Sequence, residues 1–354
     1  MSRQGFPSKQ TLALVGFVEL GVEGNVTGHD FWTPIVNATA KLAIAVAIRD
    51  SEPAETFAKM FEAGFFFCIT RCLPYVSEGS RLPLKIMQPY MHGQKVIEAL
   101  FSRRGDFEMF RDRRGLPKRV EAVCLAFEVN MTIARTVYIS RGAVPISLCS
   151  NLKHSTSRPS YIEGGDEPLK TCSACRAVFY CSPICQEEDW RTLHKEECCV
   201  LAQKGTNLRG IKTTLGSVRT KREQLAYLKY ALDSDLDIIH GKPATRKGLR
   251  VSSEGRTIRF LDFSNSPAQW PEAGSKVELD FTGIDCEWAE RIDKCISGTE
   301  RELLNNPDQV FIFVEGMFSL AQFRRTCVFV TMREDPNAPK EYRWEVVTSV
   351  FRER

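Results

Sequence analysis

The chain has 354 residues, of which 43% are hydrophobic and 26% are charged, and its formal net charge is +4. This length is enough for two or three domains with sizeable cores, and the hydrophobic fraction is ordinary for a soluble globular protein. The net charge is too small to indicate a nucleic-acid-binding protein by itself.

Apolar stretches are too short to predict a membrane span. Residues 42–48 and 63–70 are apolar, but each run ends at an arginine, well short of the about 18 apolar residues that a transmembrane helix needs. Residues 11–18 have the outline of a signal peptide, but the run is short and Glu19 follows it. We therefore expect no transmembrane helix, no membrane contact and no secretory leader.

Residues 1–146 are predicted to form a mainly helical domain. Residues 11–20 fit one short strand or helix, and helices are predicted at 38–49, 53–63, 65–75, 84–101 and 117–139. Pro53 stands at the first position of its helix, which proline tolerates, and Gly64 ends that helix. Helices with short links favour a bundle or a small stack of helix pairs, with the aromatic side chains in the core.

A basic segment lies between the last two of these helices. Residues 103–119 contain seven basic and three acidic residues, and seven minus three gives +4, the charge of the whole chain. One interpretation is contact with nucleic-acid phosphates, aided by Phe107 and Phe110. The interpretation that we favour is a solvated loop between helices, because the acidic residues are interleaved with the basic ones.

The cysteine pattern of residues 172–198 is the strongest signal in the chain. Its potential metal ligands occur in three pairs: Cys172 and Cys175, Cys181 and Cys185, and His194 and Cys198. A spacing of two or three residues lets both sulfurs of a pair point at one Zn²⁺, and the i, i+4 spacing puts the last pair on one face of a helix. Buried thiols in an apolar core have no reason to adopt this spacing, so the pattern predicts a zinc-binding segment.

This segment resembles a MYND zinc finger. The resemblance rests on the ligand order and on Tyr180-Cys181, Cys185-Gln186 and Asp189-Trp190 within it. It implies two zinc ions in a cross-brace, in which the ligand pairs alternate between the metals along the chain. One zinc would be bound by Cys172, Cys175, His194 and Cys198, and half of the second site would be Cys181 and Cys185.

The second site lacks its first ligand pair at the place where the family usually has it. That place is shortly before Cys172, but residues 160–170 contain no cysteine or histidine. Cys149 and His154 are the nearest candidates, and looping out residues 155–170 would add only a small entropic cost.

Two zinc ions are therefore expected, and one zinc is the alternative. In that alternative Cys149 is a buried cysteine and His154 a solvated loop histidine. Cys199 could substitute for Cys198, but the spacing from His194 favours Cys198.

The zinc is expected to be structural. A site with four protein ligands has no open position for water, so it stabilises a segment too small for its own core rather than performing catalysis. The resemblance implies that the finger binds a short, proline-containing peptide of a protein partner. Carried over to this chain, the peptide-binding groove is lined by Val178, Phe179, Gln186 and Trp190.

Two of these residues have chemistry suited to a peptide. Gln186 can hydrogen-bond an extended peptide backbone, and Trp190 offers a flat apolar face for proline. The alternative for Trp190 is packing within the chain. The neighbouring acidic residues Glu187, Glu188 and Asp189 are interpreted as solvated or capping charges.

The region after the finger predicts a linker, a helix and then a mixed domain. Residues 204–243 are predicted to be a polar linker and an amphipathic helix at 219–239. Beyond them a helix is predicted at 286–304, a turn at 335–339, and strands at 256–263, 276–281, 310–314, 326–331 and 342–348. These strands are expected to form a small antiparallel sheet.

No catalytic signature is present. The sequence contains no P-loop, GxGxxG, GxSxG or HExxH motif. In one branch of MYND proteins the finger interrupts a SET methyltransferase domain, but that domain's Asn-His-Ser-Cys run is missing after the finger. A divergent methyltransferase-like enzyme is one alternative, and a nucleic-acid binder through residues 103–119 is another.

The sequence thus predicts an α+β multidomain protein. Its parts are a mainly helical domain at 1–146, a MYND-type finger at 149–199, a linker and amphipathic helix at 204–243, and an α+β region at 244–354. The metal-ligand spacing of the cysteines, in a chain of this size, argues for a reducing compartment, the cytoplasm or the nucleus. The predicted function is zinc-dependent recognition of a protein partner, with nucleic acid as an unfavoured partner.

Overall fold

The computed structural model describes residues 6–50, 52–76, 82–140, 146, 148–154, 170–207, 218–233, 258–262, 286–319, 325–338 and 343–353. The chain divides into two compact units. The first is built from the N-terminal helices up to Ile139, and the second contains the finger and the C-terminal helices and strands. The predicted α+β class is confirmed, whereas the bounds of the four predicted regions stay predictions.

The first unit is helical, as predicted. Its helices are α1 (Phe6–Glu23), α2 (His29–Arg49), α3 (Pro53–Glu62), α4 (Phe65–Cys72), α5 (Pro83–Met87), α6 (Gln94–Ser102), α7 (Arg104–Arg111) and α8 (Lys118–Ser140). The helix predicted at 84–101 is interrupted, because a 3₁₀ turn at Gln88–Tyr90 contains Pro89, and Gly93 in extended conformation precedes α6.

Aromatic side chains fill the core of the first unit. The ring of Phe66 lies 5.3 Å from that of Phe110 and 6.0 Å from that of Phe127, measured between centroids. Gly64 joins α3 to α4 in the left-handed region, at φ 96°, where a side chain is strained. The aromatic stripes of the sequence are therefore core positions.

The interpretation of residues 103–119 as a loop is wrong over α7. Phe107 and Phe110 are buried on the inner face of this helix, so they are not available to stack on bases. The basic side chains have acidic partners instead, since Arg113 pairs with Glu128 and Arg114 with Asp112.

Two helices of the first unit are long and apolar enough to cross a membrane by length and composition alone, His29–Arg49 and Lys118–Ile139. In the most apolar 18-residue stretch of each helix, 44% and 39% of the residues, respectively, are buried within the fold. Core helices of soluble proteins pass the same test, so this is weak evidence for insertion. The expectation that no helix spans a membrane stays a prediction.

The second unit carries the finger and a mixed sheet. Its elements are β1 (Lys170–Thr171), β2 (Phe179–Tyr180), α9 (Pro183–Asp189), α10 (Lys195–Asn207), α11 (Val218–Asp233), β3 (Ile258–Asp262), α12 (Cys286–Asn305), β4 (Phe311–Ser319), β5 (Arg325–Glu334) and β6 (Trp344–Glu353). Strands β1 and β2 form an antiparallel pair, and the larger sheet has the order β3-β4-β5-β6. Strands β5 and β6 are antiparallel as predicted, whereas β3 runs parallel to β4.

The last three strands differ from the predicted ones at their ends. Each runs further toward the C-terminus than predicted: β4 to Ser319, β5 to Glu334 and β6 to Glu353. The predicted strand at 276–281 and the end of the amphipathic helix, residues 234–239, lie outside the described residues.

One hydrophobic core joins the finger to the C-terminal elements. Trp288, Ile292 and Ile296 of α12 are buried in the same cluster as the sheet residue Phe329 and the finger residue Val178. The finger is therefore packed against α12 and the sheet within a single unit.

Candidate metal centres

The described residues contain two groups of side chains with metal-ligating atoms close together. The first group is Cys149, His154, Cys181 and Cys185. Its sulfurs at Cys181 and Cys185 lie 3.5 Å apart, and Nδ1 of His154 lies 3.6 Å from the first and 3.5 Å from the second. All four ligating atoms lie within 4.8 Å of one another.

The second group is Cys172, Cys175, His194 and Cys198. The sulfurs of Cys172 and Cys198 lie 3.6 Å apart, and Nε2 of His194 lies 3.6 Å from the sulfur of Cys175. All four side chains are buried. The eight residues thus alternate between the groups along the chain in pairs, as a cross-brace requires.

These separations fit tetrahedral zinc. With Zn–S bonds of about 2.3 Å and Zn–N bonds of about 2 Å, two sulfurs should lie about 3.8 Å apart, and a sulfur and a nitrogen about 3.6 Å apart. The measured distances of 3.5 to 3.6 Å match this pattern. The chain therefore has two Cys₃His zinc sites, and the expectation of two zinc ions is confirmed.

A tight turn brings the first cysteine pair of the second group together. Arg176 donates its backbone N–H to the carbonyl of Cys172 at 2.9 Å, and it lies in the left-handed region at φ 56°. The N–H of Ala177 points at the sulfur of Cys175 at 3.4 Å. Backbone N–H groups of this kind stabilise a thiolate, so the turn both places and prepares the ligand.

The N-terminus of α9 places the cysteine pair of the first group. Ser182 is its N-cap and accepts the N–H of Cys185 at 3.2 Å, and Pro183 occupies the first helical position. Cys181 thus precedes the helix and Cys185 lies in its first turn, with the sulfurs on one side. The sequence Cys-Ser-Pro-Ile-Cys contains both capping signals.

A π-helical turn links α9 to α10. It spans Trp190–His194, and it places His194 in the second group, four residues before Cys198 on α10. Such wide turns are rare and occur often at functional sites. The ring of Trp190 packs edge-on against His194, with 5.7 Å between centroids.

A strand-like segment brings in the upstream ligands. The N–H of Ser150 donates to the carbonyl of Phe179 at 2.8 Å, and the N–H of Phe179 donates to the Ser150 hydroxyl. On the other side, the N–H of Ser349 on β6 approaches the carbonyl of Cys149 at 3.5 Å. Residues 149–150 thus lie between the finger and the C-terminal sheet, which brings Cys149 and His154 beside Cys181 and Cys185.

Two thiols of the first group lose their protons readily, whereas its histidine must give one up when zinc binds. Hydrogen bonding from Cys149 lowers the pKa of Cys181 to about 6 and that of Cys185 to about 3. The hydrogen bond with Cys181 raises the pKa of His154 to about 9. Crowded thiols therefore share negative charge before any metal binds, and the zinc displaces the remaining protons.

The second group differs in its histidine. Burial lowers the pKa of His194 to about 4, helped by the charge of Arg291. The imidazole is thus neutral near pH 7 and can bind zinc through Nε2 without first losing a proton. Burial raises the pKa of Cys175 to about 12, so this thiol loses its proton when the metal binds.

The four residues predicted to contact a peptide have different environments. Trp190 is 42% exposed and Gln186 is half-buried, on the outer side of the finger. Val178 and Phe179 are buried, and the backbone of Phe179 is already paired with Ser150. The strand side of the expected groove is therefore closed by the chain itself.

The interpretation of Asp189 as a solvated or capping charge is wrong. It is fully buried, where it accepts a hydrogen bond from the Tyr180 hydroxyl at 2.8 Å and pairs with Arg291. Glu188 accepts a bond from Asn151, and Glu187 forms an exposed pair with Arg191. No local signal identifies Asp189, because Arg291 lies 102 residues further along the chain.

Residues 158–198 match the family model described as MYND finger. The chain therefore carries a MYND finger, as its ligand order indicates. Cys149 and His154 lie before the matched segment, which is where this chain departs from the usual spacing.

Three curated relatives show local similarity. N-lysine methyltransferase SMYD2 from Gallus gallus is 26% identical over 131 residues, which cover 34% of this chain and 28% of the relative. Histone-lysine N-methyltransferase ASHR1 from Arabidopsis thaliana is 49% identical over 35 residues, and SET domain-containing protein 14 from Caenorhabditis elegans is 63% identical over 30 residues.

These matches cover only a small part of this chain and of each relative. The last two each cover 7% of the relative, with 10% and 8% of this chain. The matched part of this chain thus spans less than a third of each of these relatives. No solved structure matches the chain.

Proposed function

We propose that this chain is an intracellular recognition protein whose zinc finger binds a short, proline-containing peptide of a protein partner. The observation that carries this proposal is the setting of Trp190. Its ring is 42% exposed although it lies on a finger helix, and it packs edge-on against the zinc ligand His194. A rigid aromatic face held by a metal ligand is suited to proline, because binding costs it little conformational entropy.

Gln186 extends this surface along the helix. Trp190 donates its backbone N–H to the carbonyl of Gln186, so the two lie one helical turn apart on the same side. Because β2 is already paired, the peptide is expected to lie along the helix rather than to extend the strand.

The free thiols agree with the proposed location. The twelve cysteines whose side chains the structure describes form no disulfide. Cysteine side chains persist as thiols and metal ligands in reducing compartments.

The test is a binding measurement on the full chain with its zinc in place. Fluorescently labelled peptides from a proline-containing library are titrated with the native protein and with Trp190→Ala. Loss of a central aromatic contact is expected to weaken binding by about 30-fold. Leu304→Ala is the matched control, since Leu304 is an 83% exposed apolar residue on α12.

Zinc content is measured in parallel for each protein. If Trp190→Ala keeps both zinc ions and binds peptides as the native chain does, Trp190 is a packing residue and the proposal fails. It also fails if the native chain binds no member of the library.

Protein-lysine methylation is a second candidate function. Its support is that three curated relatives bear names of lysine methyltransferases or of a SET protein. Titration with S-adenosylmethionine by calorimetry tests it directly. Binding at micromolar concentration would favour an enzyme, and no heat up to about millimolar ligand, a binding free energy weaker than about −4 kcal/mol, would exclude that cofactor.

A further inference from the structure

One side chain of the C-terminal region contacts segments of both zinc sites. Arg291 on α12 is fully buried. Its Nε donates to Glu197 at 2.6 Å, and its Nη2 donates to Asp189 at 2.9 Å. Its Nη1 donates to the other oxygen of Asp189 at 3.1 Å and to the backbone carbonyl of Ser150.

The three acceptors lie next to zinc ligands. Ser150 directly follows Cys149, and Glu197 directly precedes Cys198. Asp189 lies at the end of α9, between Cys185 and His194. Arg291 thus joins a segment of the first site, a segment of the second site and the helix that connects them.

We propose that Arg291 is a positioning residue for both zinc sites, so that the finger is completed by a residue of the C-terminal region. A guanidinium group has five N–H donors in one rigid plane, which can reach three acceptors at once. The ammonium group of a lysine has no such fork. The role therefore depends on the shape of the arginine as well as on its charge.

Charge also favours an arginine here. Three thiolates and one Zn²⁺ leave each site with a net negative charge, and Asp189 and Glu197 add two buried carboxylates. Removing one partner of a buried ion pair leaves an uncompensated charge, which is strongly destabilising. A test must therefore separate the balance of charge from the positioning of the ligands.

Zinc release from the full chain provides the readout. The rate of transfer to the chromogenic chelator 4-(2-pyridylazo)resorcinol is compared between the native chain, Arg291→Lys and Arg301→Lys. Arg301 is exposed on the same helix and donates to the carbonyl of Ser297, so its variant is the matched control. Lost outer-shell contacts typically lower metal affinity about 10- to 100-fold, so Arg291→Lys is expected to release zinc faster by up to this factor, and Arg301→Lys at the native rate.

A charge-neutral triple variant separates the two roles. Arg291→Met with Asp189→Asn and Glu197→Gln removes the charges together, while the Asn can still accept the Tyr180 hydrogen bond. If Arg291 positions the ligands, the triple variant folds by circular dichroism and binds two metal ions, yet still releases zinc faster than the native chain. Substitution with Co²⁺ checks the coordination, because its visible absorption reports tetrahedral geometry.

Two results would overturn the proposal. One is release from Arg291→Lys at the native rate. The other is release from the triple variant at the native rate, since Arg291 would then serve only to balance buried charge. If Arg291→Lys fails to fold, the triple variant alone decides.

Discussion

Tyr180 is a fully buried side chain in the finger core, and its hydroxyl has a charged partner. The hydroxyl donates to Asp189 at 2.8 Å, and the ring lies 6.3 Å from that of His194, measured between centroids. Burial, reinforced by the Asp189 charge, raises the pKa of Tyr180 far above its ordinary value. The hydroxyl therefore keeps its proton near neutral pH and remains a donor to Asp189.

Replacing Tyr180 by Phe should weaken the fold without removing zinc. Hydrogen bonds to charged groups contribute about 1.5–3 kcal/mol, and Asp189 would keep only its bonds from Arg291. Urea unfolding should show a loss in this range, with two zinc ions still bound by metal analysis. Tyr138→Phe, at an exposed tyrosine of α8, should leave the free energy of unfolding unchanged. Equal losses of stability in both variants would show that the hydrogen bond from Tyr180 to Asp189 does not stabilise the fold.

The stability of the finger should fall with acid through His194. Burial lowers the folded pKa of this histidine from 6.5 to about 4, so the unfolded chain takes up the proton first as the pH falls. The contribution of neutral His194 to the free energy of unfolding is therefore complete above about pH 6.5, and it is lost as the pH falls towards about 4. In the metal-free chain this contribution is about 3 kcal/mol, since one pKa unit corresponds to about 1.4 kcal/mol.

The measurement is urea unfolding of the second unit at several pH values between about pH 8 and about pH 5. His194→Cys is the comparison, because a fourth thiolate keeps tetrahedral coordination without an imidazole. An unfolded cysteine, with an ordinary pKa of about 8.5, takes up its proton well above pH 6.5, where an unfolded histidine is still largely neutral. Between about pH 8 and about pH 6.5 the variant should therefore lose more stability than the native chain. Parallel curves for the two proteins in that range would show that His194 does not carry the effect.

At the scale of elements, the link between α3 and α4 depends on one glycine. Gly64 has φ 96°, and a Cβ there would lie 2.7 Å from the guanidinium of Arg103 and 2.9 Å from Val15. Gly64→Ala should therefore cost about 1–3 kcal/mol through backbone strain, in addition to the displacement of its neighbours.

Gly105 provides the opposite case in the same unit. It lies in α7, and a Cβ there would meet nothing within 4 Å. Gly105→Ala should stabilise the unit by about 0.5–1 kcal/mol, because alanine restricts the unfolded chain and favours a helix. Thermal unfolding should shift to lower temperature for Gly64→Ala and to higher temperature for Gly105→Ala. An unchanged or raised unfolding temperature of Gly64→Ala would refute this account of Gly64.

The sequence reveals elements whose signals are local. Two ligands separated by two or three residues must face the same point, so the cysteine spacing alone indicates the finger. Helix α7 was missed because its charged residues resemble a loop, although Phe107 and Phe110 have the i, i+3 spacing of a buried helical face. The spacing of the two phenylalanines thus predicts this helix, although the surrounding charged residues favour a loop.

Contacts between distant segments could not be predicted in this way. Cys149 and His154 were candidates only because the usual upstream pair is missing, and their place beside Cys181 depends on pairing with β2 and β6. Arg291 has no local pattern at all, since its partners lie 94 to 141 residues earlier in the chain. Folding brings these groups together, and neither composition nor periodicity records such contacts.

At the scale of the whole molecule, zinc binding and the C-terminal sheet are linked through one core. The same buried cluster contains Trp288 and Ile292 of α12, Phe313, Phe329 and Val350 of the sheet, and five zinc-site cysteines, Cys149, Cys172, Cys175, Cys185 and Cys198. The finger thus shares its hydrophobic core with α12 and the sheet and does not form a separate domain. Loss of the metal should expose apolar surface of α12 and of the sheet as well as that of the finger.

Zinc removal should therefore loosen the second unit selectively. After treatment with a strong chelator, amide hydrogen exchange measured by mass spectrometry should accelerate in α9, α10, α12 and β4–β6. Exchange in α1–α8 should stay at its native rate, since that unit has its own aromatic core. Returning zinc should restore protection if the change is reversible folding. If exchange rises only in residues 170–207, the sheet keeps its structure without the metal, and the shared core contributes little to its stability.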